Sequence, residues 1–224
     1  MKPTLIIALH GTRSHAGSVQ AEALRAEVAS VMPGVRVELG WVDIHDELLA
    51  ETVQRVGACV VVPVFLAAGY HVSHDVPAAI RASGGLAVAT DHVGGDLVSA
   101  IRDRLLAAAL LGDGVLLAAI GSKRPGAHAE VLDNAQRLES LVGRPVVAGF
   151  IYAASPTPAE ALAELRRRGC TDVTVAVHAL VPGLYRSHLE HLDVRAVAEP
   201  IGNHPMLIDA VVRRYHAAAL PLAA

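Results

Sequence analysis

Short apolar runs alternate with segments of helical spacing along the whole chain. Leu5–Leu9 is a continuous apolar run. Ser18–Met32 carries apolar residues at helical spacing and stops at Pro33-Gly34, after which Val35–Val42 is again strand-like. A helix over Glu47–Val56 closes at Gly57, and Cys59–Val64 reads as a third strand. A glycine-containing loop then leads to a helix near Val76–Ala82, a fourth strand over Leu86–Thr90 and a long helix over Gly95–Leu111. Strands that alternate with helices in this way predict βαβ units and a parallel sheet.

The pattern then starts again. Val115–Lys123 mirrors Leu5–Arg13, Glu160–Glu164 mirrors Glu47–Glu51, and Gly169-Cys170 mirrors the Gly57–Cys59 segment. Gly183 and His188 follow in the order of Gly69 and His74. So many matches in one order imply an internal duplication. The expectation is an α/β chain of two tandem lobes, 1–111 and 112–224, each a parallel sheet flanked by helices, facing each other across a cleft. Ligands of parallel sheets bind beyond the carboxyl ends of the strands. The residues that follow each strand are therefore the ones to inspect.

Composition narrows the class. Of 224 residues, 53% are hydrophobic and 18% charged, enough for a sizeable core. Aromatics make up 3%, so that core is aliphatic. A net charge of −3 argues against nucleic acid as a partner, because such binding needs a broad basic surface. The cysteines, Cys59 and Cys170, form no CxxC pair and open apolar runs, as buried free thiols do. No apolar stretch is long enough to span a membrane, and the N-terminus lacks a signal-peptide pattern. A soluble cytoplasmic protein is expected.

Histidine marks the strand ends of the first repeat. His10-Gly11-Thr12-Arg13 follows the first strand, and Asp43-Ile44-His45-Asp46 follows the second. The loop after the third strand holds His71, His74 and Asp75 within five residues. Imidazole and carboxylate together suit borderline divalent ions. Plainer readings stand beside this one: a capping loop that happens to contain His10, and Asp75 or Asp46 as helix N-caps. The duplication supplies a control. Ile120 stands at the place of His10 and Tyr185 at that of His71, so both imidazoles belong to one repeat. Lys123, Arg124, His178, Arg186 and His188 follow strands of the second repeat, as a basic rim or as ordinary surface and core.

At these residues the chain resembles the sirohydrochlorin chelatases of the CbiX/SirB type. The likeness rests on His10–Arg13, close to that family's HGSR, on Pro63–Pro77, close to its PxFLxxGxHxxxDxP, and on Glu199–Pro205, like its late EPLGxHP segment. Thr12 departs from the usual serine. The resemblance implies that His10 and His71 are the metal-binding and catalytic pair, with histidines only in the first of two fused lobes. Short relatives reach the same architecture by dimerisation, so monomer and homodimer both remain open. Asp43, His45, His74 and Asp75 are candidates for an additional ligand or a supporting contact. Arg13, Lys123, Arg124 and Arg186 are candidates for gripping the carboxylates of the tetrapyrrole.

The expected function is insertion of a divalent metal into sirohydrochlorin. Fe2+, which gives siroheme, is favoured over Co2+, the cobalamin route. The metal is then a substrate, and no organic cofactor is expected. A non-catalytic metal or tetrapyrrole carrier would use the same residues. A nucleotide enzyme is disfavoured because His-Gly-Thr-Arg, not GxGxxG, follows the first strand. A purely structural α/β module would give no reason for a histidine pair confined to one repeat.

Overall fold

The computed structural model describes residues 2–107 and 111–219, which form two compact units. In the first unit β1 (Thr4–Leu9), β2 (Val37–Trp41), β3 (Cys59–Pro63) and β4 (Ala87–Ala89) form a parallel sheet in the order β2-β1-β3-β4. The central strands β1 and β3 are covered on both faces, and Leu5–Ala8 and Val60–Val62 have no exposed surface. That is why their sequences are unbroken apolar runs and do not alternate.

Ile6, Ala8 and Val61 share one core with Leu49 and Val53 of α2 (Leu49–Val56) and with Val76 and Ala79 of α4 (Asp75–Ala82). Alternate strand residues point the other way. On that side α8 (Pro205–Ala219) packs on β3 and on α1 (His15–Val31). The buried Tyr215 of α8 donates its hydroxyl to the Pro3 carbonyl at 2.7 Å, which fastens the last helix to the first strand.

The second unit repeats the plan. Its strands β5 (Gly114–Ala119), β6 (Val146–Phe150), β7 (Val173–His178) and β8 (Ala196–Val197) pair in parallel in the order β6-β5-β7-β8. α7 (Pro158–Arg167) packs on β6 and β5, and α5 (Val98–Ala107) packs on β7 and on α6 (Pro125–Val142). α7 begins with a capping box. Thr157 Oγ1 accepts from the Glu160 N–H at 3.3 Å, and Glu160 accepts from the Thr157 N–H at 2.7 Å.

The compact units do not follow the sequence repeats. The first unit takes the chain up to Gly94 and again from Asn203, and the second runs from Gly95 to Gly202. α5, the last helix of repeat 1–111, packs on β7, whereas α8, the last helix of repeat 112–224, packs on β3. β3 and β7 hold the same place in the two sheets, so the two closing helices have traded places.

Most other differences from the sequence reading are small. α5 is described as far as Ala107, and residues 108–110, beside the repeat boundary, lie outside the described residues. α2 starts at Leu49 rather than Glu47, because the Glu51 carboxylate accepts the Leu48 N–H at 2.8 Å and sets the cap there. Asp46 therefore lies before the cap. The loop after β3 holds a helical turn, α3 (Tyr70–Ser73), that the sequence pattern did not announce. No helix among the described residues is long and apolar enough to cross a membrane.

Candidate metal centre

His10 is the first exposed residue beyond the buried run of β1. Its carbonyl accepts the Asp43 N–H at 2.9 Å, so the parallel ladder between β1 and β2 continues past both strands and fixes the two side chains beside each other. Gly11 makes this approach possible. Its φ is +108°, and a Cβ built on it would lie 1.9 Å from the Asp43 carbonyl oxygen. Ile44 takes up the other side of the turn at φ 52°, while its N–H donates to Asp43 Oδ1 at 2.8 Å.

His71 comes from the loop after β3. The Val64 N–H donates to the Ala8 carbonyl at 2.8 Å, carrying β3 past the sheet. The chain then folds back into α3, where Ser73 Oγ donates to the Gly69 carbonyl at 2.6 Å. This return brings the His71 ring edge-on to His10, with centroids 4.6 Å apart and planes at 87°. Phe65 and Tyr70 flank His71 at centroid distances of 6.4 and 5.9 Å. Nδ1 of His71 lies 2.5 Å from Oδ2 of Asp75.

His10, Asp43 and His71 each present one donor atom, and these atoms all lie within 4.8 Å of one another. His10 and Asp43 are exposed and His71 is half-buried. Two imidazoles and a carboxylate make a three-donor set for a borderline divalent ion, with positions left over for water or a second ligand. A structural zinc site closes around four protein donors instead.

The other residues singled out by the sequence are placed elsewhere. The His45 ring stacks on Trp41 at 5.1 Å and its Nδ1 accepts the Glu47 N–H at 3.2 Å, so it does not join the cluster. His74 is exposed, stacks on Tyr70 at 4.5 Å and also stands outside the three-donor set. The N-cap of α4 is His74, not Asp75; Asp75 is the first helical residue, and its side chain turns to His71. Arg13 is exposed three residues after His10. Lys123 and Arg124 occupy the matching turn of the second unit, and the Arg186 guanidinium pairs with Glu199 at 3.3 Å. His178 is buried and accepts from Asn134 Nδ2 at 3.2 Å, as a core histidine does.

The second unit keeps the scaffold of the site without its donors. A Cβ on Gly121 would lie 1.9 Å from the Tyr152 carbonyl oxygen, the Tyr152 N–H donates to the Ile120 carbonyl at 2.9 Å, and Ala153 has φ 59°. Strand register carried one or two residues past the strands equates His10 with Ile120 and Asp43 with Tyr152, and the 114-residue offset between β3 and β7, continued through the loops, matches His71 to Tyr185. The Asp43–Tyr152 correspondence escaped the sequence reading, although an offset of one residue from the His10–Ile120 match would have found it. Tyr152 hydrogen-bonds His188 Nε2 at 2.9 Å. Tyr185 is buried in the core, which pushes its phenol up to about 12, so it stays protonated and offers no anionic ligand.

The cysteines take no part in this chemistry. Both are free and buried, and burial pushes the Cys59 thiol up to about 11 and raises Cys170 as well.

A duplicated parallel α/β fold with one imidazole–carboxylate centre at its strand ends is a two-lobed, chelatase-like architecture. The chain belongs to the CbiX family, which it matches twice, over residues 4–104 and 114–218. Three solved structures share its fold. SirB from Bacillus subtilis with Fe3+ is 20% identical with a TM-score of 0.83, covering 100% of this chain and 98% of that one. The sirohydrochlorin chelatase SirB from Bacillus subtilis subspecies spizizenii in complex with cobalt is 19% identical with a TM-score of 0.78, covering 98% and 96%. CbiX, described as the terminal enzyme for biosynthesis of siroheme in denitrifying bacteria, is 22% identical with a TM-score of 0.71, covering 96% and 99%. No curated protein matches the chain in sequence.

Proposed function

We propose that this protein inserts a divalent metal ion into sirohydrochlorin, with His10, Asp43 and His71 as the metal-handling residues. The observation that carries the reading is the convergence of two imidazoles and one carboxylate, from the loops that follow three different strands, within 4.8 Å of one another. Membership of the CbiX family and the iron and cobalt named with the two SirB structures support it.

Insertion exchanges one metal ion for two pyrrole protons. The ion must shed water, bind briefly and be released to the ring nitrogens. Three protein donors hold it while leaving coordination positions for the incoming nitrogens. Neutral imidazole is both a ligand and a base, so His10 and His71 accept the departing protons once the metal has moved on. Arg13, Lys123 and Arg124 are proposed contacts for the eight carboxylates of the macrocycle, since guanidinium and ammonium groups bind carboxylate strongly. Arg186 joins them only by releasing Glu199.

Fe2+ is the favoured metal and Co2+ the next. In this reading the metal is a substrate, no organic cofactor or nucleic acid is involved, and the protein works in the cytoplasm as a monomer or homodimer. The test is a steady-state absorbance assay with sirohydrochlorin and Fe2+, Co2+ or Ni2+. Many turnovers per chain are expected, fastest with Fe2+. A single equivalent of metallated product per chain would assign the protein to the carriers instead.

A further inference from the structure

We propose that Asp75 is a positioning residue for the metal: its carboxylate holds the Nδ1–H of His71, so that Nε2 is the atom presented to the ion. The inference rests on the reading of His71 as a ligand and deepens it. Asp75 Oδ2 lies 2.5 Å from His71 Nδ1, and the two residues stand four apart, one in α3 and one at the first position of α4.

An ionised carboxylate only accepts, so the proton of this bond sits on Nδ1, and Nε2 keeps its lone pair. Histidines that ligate metals through one nitrogen are commonly held this way through the other, which fixes both tautomer and ring orientation. The ring here needs such support. α3 is a single turn, and a ring on a single turn can swing unless something holds it. Asp75 stands outside the three-donor set, so its carboxylate acts through His71 and not on the ion.

A helix-capping role does not account for the contact. The N-cap position belongs to His74, and the carboxylate is turned to the imidazole. The second unit offers a comparison. At an offset of 114, His71 and Asp75 become Tyr185 and Leu189, both buried in the core. The imidazole and its carboxylate are thus replaced together, by residues that neither ligate nor orient.

The test measures Co2+ binding by titration and visible absorption in the full-length protein, for wild type, H71A, D75A and D75N. Long-range 1H–15N spectra of the metal-free proteins report the His71 tautomer. The expected result is a proton on Nδ1 in wild type and a shift toward the Nε2–H form in D75A. Co2+ affinity should fall about 10- to 100-fold in D75A and D75N. The insertion rate should fall with kcat while KM for the tetrapyrrole and the melting temperature stay near wild type. Wild-type Co2+ affinity and tautomer in D75A, with binding lost in H71A, would overturn the positioning role and leave the metal site standing. Wild-type Co2+ binding in H71A would overturn both.

Discussion

The backbone N–H of Asp43 donates to the carbonyl of His10 across 2.9 Å, and the same bond joins Tyr152 to Ile120 in the second unit. One backbone device therefore occurs twice, and among the described residues only one copy carries an imidazole–carboxylate cluster. Scaffold and chemistry can be perturbed separately as a result.

Removing the donors tests the chemistry. His10→Ala or His71→Ala each takes away one of the three proposed ligands and one proposed proton acceptor. Insertion is expected to fall on the order of 100-fold or more in each. His10 follows β1, His71 lies in the loop helix α3, and neither is in the core, so melting temperature should change little. Stopped-flow or steady-state metallation beside a thermal melt checks both halves, and a wild-type rate in either variant would remove the mechanism.

Perturbing the scaffold separates the two units. In Gly11→Ala the new Cβ would fall 1.9 Å from the Asp43 carbonyl oxygen, at a φ of +108°. Gly121→Ala meets the same obstacle at Tyr152, also at 1.9 Å. Each should cost about 1–3 kcal/mol of stability. Only Gly11→Ala should weaken Co2+ binding, because only there does the displaced loop carry donors. Equal losses of binding in the two variants would refute the assignment of the site to the first unit.

The helix exchange predicts which fragments fold. A chain ending at residue 111 keeps α5 but lacks α8, the helix that packs on β3, and should self-associate. A protein rearranged to begin at Asn203, pass from residue 219 to residue 2 by a short linker and end at Gly94 contains the whole first unit. The 2.7 Å bond between Tyr215 and Pro3 places α8 beside the start of β1. This rearranged chain should unfold cooperatively and bind Co2+. Gel filtration, denaturant titration and metal titration decide the matter; a molten, metal-blind product would count against the division at Gly94 and Asn203.

Asp113, in the second unit, predicts a pH effect on stability. Its carboxylate accepts from the Thr171 and Asp172 N–H groups at 2.7 and 2.8 Å, tying the start of β5 to the turn before β7. The Thr171 N–H is the largest cause holding this carboxyl below its ordinary value. A folded-state value below the unfolded one means that the stabilisation is present above the ordinary carboxylate range and is lost as acid protonates the folded group. Asp113→Asn should therefore lower the melting temperature at neutral pH, and the gap from wild type should close in acid. A gap independent of pH would mean that the bonds matter and the charge does not.

The sequence exposed the parts of this fold that depend on local pattern. Buried central strands cannot alternate, so Leu5–Ala8 and Val60–Val62 stand out as apolar runs, and the histidine ending the first run is conspicuous. His71 was legible by its absence from the second repeat. What stayed hidden depends on tertiary placement. α5 and α8 each follow the fourth strand of their own repeat, and that order does not say which sheet each will cover. Asp75 sits two residues before Pro77, a setting that reads as a helix cap, and only the return of the chain through α3 turns its carboxylate to His71. His45 looked like a cleft residue because it follows a strand, yet stacking on Trp41 turns its ring away.

The traded helices also fix the order in which a newly made chain can finish folding. When the first four strands leave the ribosome, the segment that will cover β3 has not been translated. The half carrying His10, Asp43 and His71 must wait for α8, while the other half already has every piece it needs. A polypeptide that stops short of α8 would thus leave that half unsealed, with one face of β3 uncovered.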